Sequence, residues 1–360
     1  MSELGAEALV RSVAQAVPAL DADTGAACAR LLDRKTKPPG SLGRLEELAV
    51  RLAAAQGRAQ PDVARRVVAV AAADHGVARE GVSAYPSEVT AQMVKNFAGG
   101  GAAVSVLARH VGARVVVIDM GVRASGGAVD DNDGVIRMAL GEGTASITAG
   151  PAMARETAAQ GVQAGIAIAL ALAQEGLDLL ALGEMGIGNS TVAAAVIAAL
   201  TGRPAAEVTG RGTGVDDAGL ARKVAVVEQA LAVNRAALGD PLGVLAAVGG
   251  FELCALAGLA LGAASVRVPV VMDGVISTAA ALVAARLAPA LTGYLIAGHL
   301  SPEPGHAIAL AALDVPPPLL ALGMRLGEGS GATLAMALCE AACRVVAEMA
   351  TFEAAGVSER

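Results

Sequence analysis

The stretch Arg66-Val67-Val68-Ala69-Val70-Ala71-Ala72-Ala73-Asp74-His75-Gly76 marks a change of pattern. Before it the chain is rich in Ala and Leu at helical spacing. After it, short β-branched runs alternate with longer Ala-rich stretches, the pattern of a parallel sheet with crossover helices. Strands are expected at 67–73, 114–118, 177–182, 268–272 and 293–297, with 244–248 as a sixth candidate. The first five run into Asp74-His75-Gly76, Asp119-Met120-Gly121, Gly183-Glu184-Met185-Gly186, Asp273-Gly274 and Gly298-His299-Leu300-Ser301. Each ends in a polar residue next to glycine. Ligands of open parallel sheets bind outside the carboxyl ends of the strands, so five such ends together predict a site along that edge.

Residues 1–34 read as two short helices. Lys35-Thr36-Lys37-Pro38-Pro39-Gly40-Ser41-Leu42-Gly43 breaks them, and Ser41 is the expected N-cap of the next helix. Leu42, Leu45, Leu48, Ala49 and Leu52 recur at helical spacing until Gly57. Lys35, Lys37 and Arg44 can meet an anion, but a solvated linker accounts for them as well. Near the other end, Leu326-Gly327-Glu328-Gly329-Ser330-Gly331 precedes a long apolar helix. A lone carboxylate is ordinarily a surface group. Glycines on both sides of Glu328 admit positive φ and close approach of a ligand, and partial desolvation there would raise its pKa toward that of a general base.

Composition excludes some classes. The chain has 360 residues, 54% of them hydrophobic, no Trp, and as aromatics Phe97, Phe251, Phe352, Tyr85 and Tyr294. A core of small aliphatics suits helices packed closely on a sheet. The net charge of −7 comes from interspersed charges, with no basic stripe for nucleic acid. Mean hydropathy is +0.57, yet the run 244–266 carries Glu252 and the run 277–291 carries Arg286, so no membrane span is expected. The start, Met1-Ser2-Glu3-Leu4-Gly5, lacks the basic and apolar regions of a signal peptide. Cys28, Cys254, Cys339 and Cys343 read as buried small hydrophobes of a reducing compartment. His75, His110, His299 and His306 show no metal-ligand spacing.

Three glycine-rich segments on the strand-end edge can meet an anion. Gly186-Ile187-Gly188-Asn189-Ser190-Thr191 opens a helix at 192–200, where backbone N–H groups attract phosphate. Gly210-Arg211-Gly212-Thr213-Gly214-Val215-Asp216-Asp217 precedes the helix of Lys223, with Asp216 or Asp217 as its cap. Gly298 to His306 is the third. None is a Walker A motif or a full dinucleotide fingerprint, and each alone is also an ordinary turn. Tyr85, Met93 and Phe97 lie in a segment able to line a pocket for a flat aromatic ligand or to form a core stripe.

Six motifs, in order, carry a resemblance over nearly the whole chain. They are Lys37-Pro38-Pro39-Gly40-Ser41-Leu42-Gly43, Ala73-Asp74-His75-Gly76-Val77, Gly183 to Asn189, Gly249-Gly250-Phe251-Glu252, Met272-Asp273-Gly274 and Leu326-Gly327-Glu328-Gly329. The chain resembles the nicotinate-nucleotide–dimethylbenzimidazole phosphoribosyltransferase family. The resemblance implies displacement of nicotinate from nicotinate mononucleotide by dimethylbenzimidazole, with inversion at the anomeric carbon, giving α-ribazole 5′-phosphate for the lower ligand of cobalamin. It makes Glu328 the general base and Glu184 a second carboxylate facing the ribose or assisting the base. It makes Gly186, with Ile187 beside it, Lys223 and Ser301 the phosphate contacts, and it puts Tyr85, Gln92 and Met93 in the benzimidazole pocket. It further implies a cytoplasmic homodimer using no metal or cofactor, with a Rossmann-like α/β domain over 61–331 and a small helical domain over 1–60 and 332–360. A non-catalytic nucleotide binder, the same transfer to another base, and a Rossmann dehydrogenase are the alternatives. Two carboxylates facing an anionic nucleotide argue against a pure binder, and the incomplete glycine fingerprint argues against the dehydrogenase.

Overall fold

The computed structural model describes residues 5–123 and 134–358; residues 1–4, part of the stretch on which the signal-peptide expectation rests, lie outside them. Helices α1 (Ala6–Ala16), α2 (Ala22–Asp33) and α3 (Arg44–Gln56) lead to strand β1 (Arg66–Ala73). Then come α4 (Glu88–Ala98), α5 (Ala103–His110), β2 (Arg114–Gly121), β3 (Ile136–Arg137), α6 (Arg155–Gln174) and β4 (Leu179–Met185). Next are α7 (Asn189–Thr201), α8 (Ala205–Val208), α9 (Asp217–Val233), α10 (Pro241–Val248), α11 (Phe251–Ser265), β5 (Val270–Met272), α12 (Val275–Leu287) and β6 (Leu295–Ala297). The chain continues through α13 (Pro304–Leu313), α14 (Ser330–Glu348) and α15 (Phe352–Ala355).

Among the described residues the sheet has six strands in the order β3-β2-β1-β4-β5-β6, and every pairing is parallel. The order reverses between β1 and β4, which opens a crevice above their carboxyl ends. Along β1, Val67, Ala69, Ala71 and Ala73 face the core shared with α6, α7, α11 and α12. Val68, Val70 and Ala72 face a second core shared with α2, α3, α5 and α14. The period of two along a strand buried on both faces explains why β1 shows no polar alternation.

Five expected strands are present. The sixth is not: 244–248 is the last part of α10, which starts with Pro241 at its first turn and is capped by Asp240 accepting from the Leu242 and Gly243 amides. A short apolar run does not separate a buried helix from a buried strand. The true sixth strand, β3, is two residues long and carries no periodicity to read. Ser41 is not the cap of α3. Gly43 holds that position at φ 53°, and Glu46 reaches back to accept the Leu42 amide at 2.9 Å.

Helix α11 is buried on every side except at Ser265, so it is a core helix with no amphipathic stripe. Its Glu252 meets His75 Nε2 at 2.8 Å, both side chains wholly buried. Removing either partner would leave the other's buried polar atom without this hydrogen bond, at about 1–3 kcal/mol. Helix α14 is long and apolar enough to cross a membrane by length and composition. It lies on the sheet instead, with Ala332, Ala335, Met336 and Cys339 in the second core.

Candidate active site

A cavity of about 450 Å³ opens above the carboxyl ends of β4, β5 and β6. The three glycine-rich segments converge on it, through Gly186, Ile187, Asn189 and Ser190, through Gly212 and Thr213, and through Ser301 and Glu303. Tyr85, Val89, Met93 and Met185 give it an apolar wall, while Asp273, His299, Arg325 and Glu328 complete the polar lining. Tyr85 stands at the rim, 56% exposed.

The glycine loop around Glu328 sets the geometry of the acidic part. Gly327, Glu328 and Gly329 follow one another at φ 86°, 63° and 85°. Three left-handed residues in a row reverse the chain just before α14. Glu328 lacks the glycine exemption, and that conformation costs it about 1–2 kcal/mol. The loop is pressed onto β4, where a Cβ at Gly183 would collide with the Glu328 carbonyl. The Glu328 carboxylate is buried and accepts the Val104 amide, in the first turn of α5, at 3.2 Å. Burial raises its pKa above the ordinary carboxylate value. The Val104 amide pulls it down, and the charge of Asp273 adds to the rise.

Glu184, at the end of β4, is buried and accepts from the Asn189 side chain. Burial, then the charge of Asp273, pushes its pKa up to about 8, against the Asn189 hydrogen bond. Asp273 itself takes the Gly331 and Ala332 amides on Oδ1 at 2.6 and 2.9 Å, with His299 Nε2 at 3.5 Å. Its pKa is raised by burial, against the pull of His299 and the helix amides.

The basic part is built from α7 and α9. Gly188 holds the N-cap of α7 at φ 99° and supplies no side chain. Asp216 caps α9 through the Gly219 amide, one of the two caps expected, and the helix carries Lys223 inward. Lys223 is 1% exposed and donates to Ser190 Oγ at 3.0 Å. Burial lowers its pKa to about 8, with Glu303 opposing. Glu303 also takes the Gly212 amide at 2.9 Å, joining the second and third glycine-rich segments. Ser301 is held by its own amide donating to His306 Nδ1 at 3.0 Å. Burial lowers the His306 pKa to about 4, so the ring is neutral and able to accept.

Seven of the nine residues singled out from sequence line this cavity directly: Glu328, Glu184, Gly186, Ile187, Ser301, Tyr85 and Met93. Lys223 reaches it through Ser190. Gln92 does not line it; it sits exposed on α4 between buried Ala91 and half-buried Met93. Phe97 is buried in the second core. Lys35 donates to the Met349 carbonyl and Lys37 pairs with Glu46 at 2.8 Å, neither among the cavity lining. Sequence reasoning assigns no role to Asp273, His299, Asn189, Glu303 or Arg325. For Asp273 and His299, their place as polar residues at strand ends was the available signal.

The family model described as Phosphoribosyltransferase matches residues 17–357. The chain belongs to the nicotinate-nucleotide–dimethylbenzimidazole phosphoribosyltransferase family. It is 56% identical over 352 residues to the protein of that name from Chloroflexus aurantiacus, covering 98% of this chain and 99% of the relative. It is 58% identical over 350 residues to the one from Roseiflexus sp. (strain RS-1), covering 97% and 98%. The crystal structure of CobT from Thermus thermophilus superposes with a TM-score of 0.89 at 50% identity, covering 94% of this chain and all of that one. Membership in this phosphoribosyltransferase family agrees with the parallel sheet and with a cavity at its carboxyl edge. It excludes the dehydrogenase alternative.

Proposed function

We propose that this chain transfers the phosphoribosyl group of nicotinate mononucleotide to dimethylbenzimidazole, giving α-ribazole 5′-phosphate and nicotinate for the lower ligand of cobalamin. The observation that carries this is one cavity lined by a buried carboxylate of raised pKa, Glu328, and reached by a buried cation, Lys223, beside a helix start. A benzimidazole nitrogen attacks the anomeric carbon from the face opposite the nicotinate. The glycosidic bond breaks with its electron pair returning to the pyridinium nitrogen, so the leaving group needs no proton. The proton on the other benzimidazole nitrogen goes to Glu328. A positioned base of this kind is worth about 10²–10⁴ in rate, and holding both substrates in line supplies much of the rest.

Lys223, Ser190, the Gly186 segment and Ser301 are assigned to the phosphate, supported by the preference of helix N-termini and buried cations for anions. Val89, Met93, Met185 and Tyr85 are assigned to the flat base, supported by their apolar lining. Gln92 is assigned to the same segment by the family resemblance alone. Glu184 is assigned to the ribose. We further propose a cytoplasmic homodimer in which 1–60 and 332–360 form a small helical domain beside the sheet domain 61–331. The bridge between Lys35 and Thr351, and the Thr36 amide on the Ala350 carbonyl at 3.1 Å, support the pairing of the two chain ends.

The test is a product assay. Protein is mixed with nicotinate mononucleotide and dimethylbenzimidazole, and nicotinate and α-ribazole phosphate are followed by chromatography. Formation of both in equal amounts supports the proposal. No release with this base or with a panel of related bases overturns it. Light scattering of the purified protein decides the dimer.

A further inference from the structure

We propose that Asp273 is the positioning residue of the reaction, the group that fixes the Glu328 loop to the sheet and keeps its carboxylate aimed into the cavity. The proposal rests on the reading of Glu328 as the base. Helix α14 begins two residues after that base, and its N-cap is Gly329, which has no side chain to satisfy the first amides. Helix starts leave four N–H groups without partners in the helix. Here the cap comes from a different strand: Asp273, at the end of β5, takes the Gly331 and Ala332 amides on one oxygen. The Gly331 amide reaches that oxygen at 2.6 Å, a well-made cap for a helix start that has no side chain of its own.

The loop is therefore pinned on two sides. Gly183 of β4 lies against the Glu328 carbonyl with no room for a Cβ. Asp273 holds the two residues that follow Ser330. His299, after β6, closes the arrangement: its Nε2 stands 3.5 Å from Asp273 Oδ1, and its ring fills the space where a Cβ of Gly331 would go. Without Asp273 the helix start would seek water or a new partner, and a left-handed Glu328 would lose what enforces it. A misplacement of about 1 Å in a reacting group costs about 10²-fold.

Asp273 also acts by charge. The ionisable groups around it are His299, Glu184 and Glu328, with the His306 ring near His299 and Arg325 also lining the cavity. When ionised, Asp273 disfavours ionisation of both glutamates, so removing its charge makes Glu328 ionise at lower pH. The acid limb of kcat/KM, which requires ionised Glu328, moves the same way.

The experiment compares wild type, Asp273→Asn and Asp273→Ala. Nicotinate release is measured from about pH 5 to pH 9, dimethylbenzimidazole binding by calorimetry, and folding by thermal unfolding. Asp273→Asn keeps an acceptor for the helix amides and loses the charge. It is expected to fold, bind the base within about twofold, keep kcat within about tenfold, and show an acid limb displaced to lower pH. Asp273→Ala is expected to lose about 10²-fold in kcat with KM little changed. An Asp273→Ala enzyme within about threefold of wild type overturns the proposal. An acid limb that stays put in Asp273→Asn overturns the charge effect. If Asp273→Ala does not fold, the Asp273→Asn kcat decides: a loss far beyond about tenfold means that the retained acceptor does not hold the loop, and overturns the proposal. A wild type that releases no nicotinate overturns the proposed function, whereas an active wild type with unaffected variants overturns only the role of Asp273.

Discussion

Helix α7 follows Gly186-Ile187-Gly188, and helix α14 follows Gly327-Glu328-Gly329. In both, a left-handed glycine occupies the N-cap and offers no side chain. The two helices stand over neighbouring parts of the same sheet edge; Asn189 and Ser190 at one start, and Glu328 just before the other, line the cavity. What differs is what meets them. A carboxylate from β5 closes the start of α14, and the loop before it is locked. The start of α7 faces the cavity with Ser190 and, behind it, the Lys223 ammonium. The same local grammar thus yields a start closed by a carboxylate in one place and a start open to the cavity in the other. Tertiary partners decide which.

Exchanging the chemistry at each start tests this contrast. The largest effect is expected at the closed one. Glu328→Gln should lower kcat by about 10²–10⁴ while binding of dimethylbenzimidazole, read by calorimetry, changes by less than about threefold. A loss below about tenfold in the product assay would move the base elsewhere, with Glu184 next in line.

At the open start, Lys223→Gln should raise KM for nicotinate mononucleotide by about 10–100-fold and leave kcat within about threefold, since it removes binding common to substrate and transition state. The same variant assigns the basic limb. Lys223 titrates near pH 8 in the folded protein, so kcat/KM for the nucleotide should fall as pH rises through that value. The limb should vanish in Lys223→Gln. If it persists, it belongs to Glu184, which titrates in the same range.

Stability separates the two starts further. The folded pKa of Lys223 lies below the ordinary value of 10.5, so the unfolded chain binds the extra proton. Its burial therefore destabilises the fold fully below pH 8, and stability recovers as pH rises from 8 toward 10.5. Lys223→Met should raise Tm at pH 7 by a few degrees while abolishing the gain in Tm expected of the wild type with inorganic phosphate. An unchanged or lower Tm would mean that the ammonium has better partners than Ser190 and Glu303.

The smallest effect concerns backbone strain. Glu328→Gly replaces a left-handed Glu by the residue suited to it, and should raise Tm by about 1–3 °C in an inactive protein. A fall in Tm would show that the Val104 contact outweighs the strain.

The sheet and its active edge were legible because each βα unit repeats one sentence: apolar run, polar residue, glycine, helix. Val67 to Gly76 states it, and Leu179 to Gly188 and Val270 to Gly274 restate it. Where the sentence was too short or ambiguous, the reading failed. Ile136 and Arg137 form a strand only by pairing with Ile118 and Asp119. Val244 to Val248 looks like a buried strand because every face of α10 is covered. Ser41 looked like a cap because Glu46 reaching back to Leu42 is invisible without coordinates. In the site, Glu328 and Glu184 stood out by their glycines. The work of Asp273 did not, since its partners lie 58 and 59 residues further along. The difference between Met93, which faces the cavity, and Gln92, which does not, is one step around a helix.

The chain has no Trp and two tyrosines, and they occupy contrasting places. Tyr294 is sealed in the main core, and Tyr85 stands half in solvent at the cavity rim. Ultraviolet emission from this protein therefore carries two separable signals. The Tyr85 share is open to collisional quenchers such as iodide and should become shielded when a ligand fills the cavity. The Tyr294 share should respond only when the core melts. In the wild type, occupancy and unfolding can thus be followed optically in one unlabelled sample, and a Tyr85→Phe protein isolates the second signal.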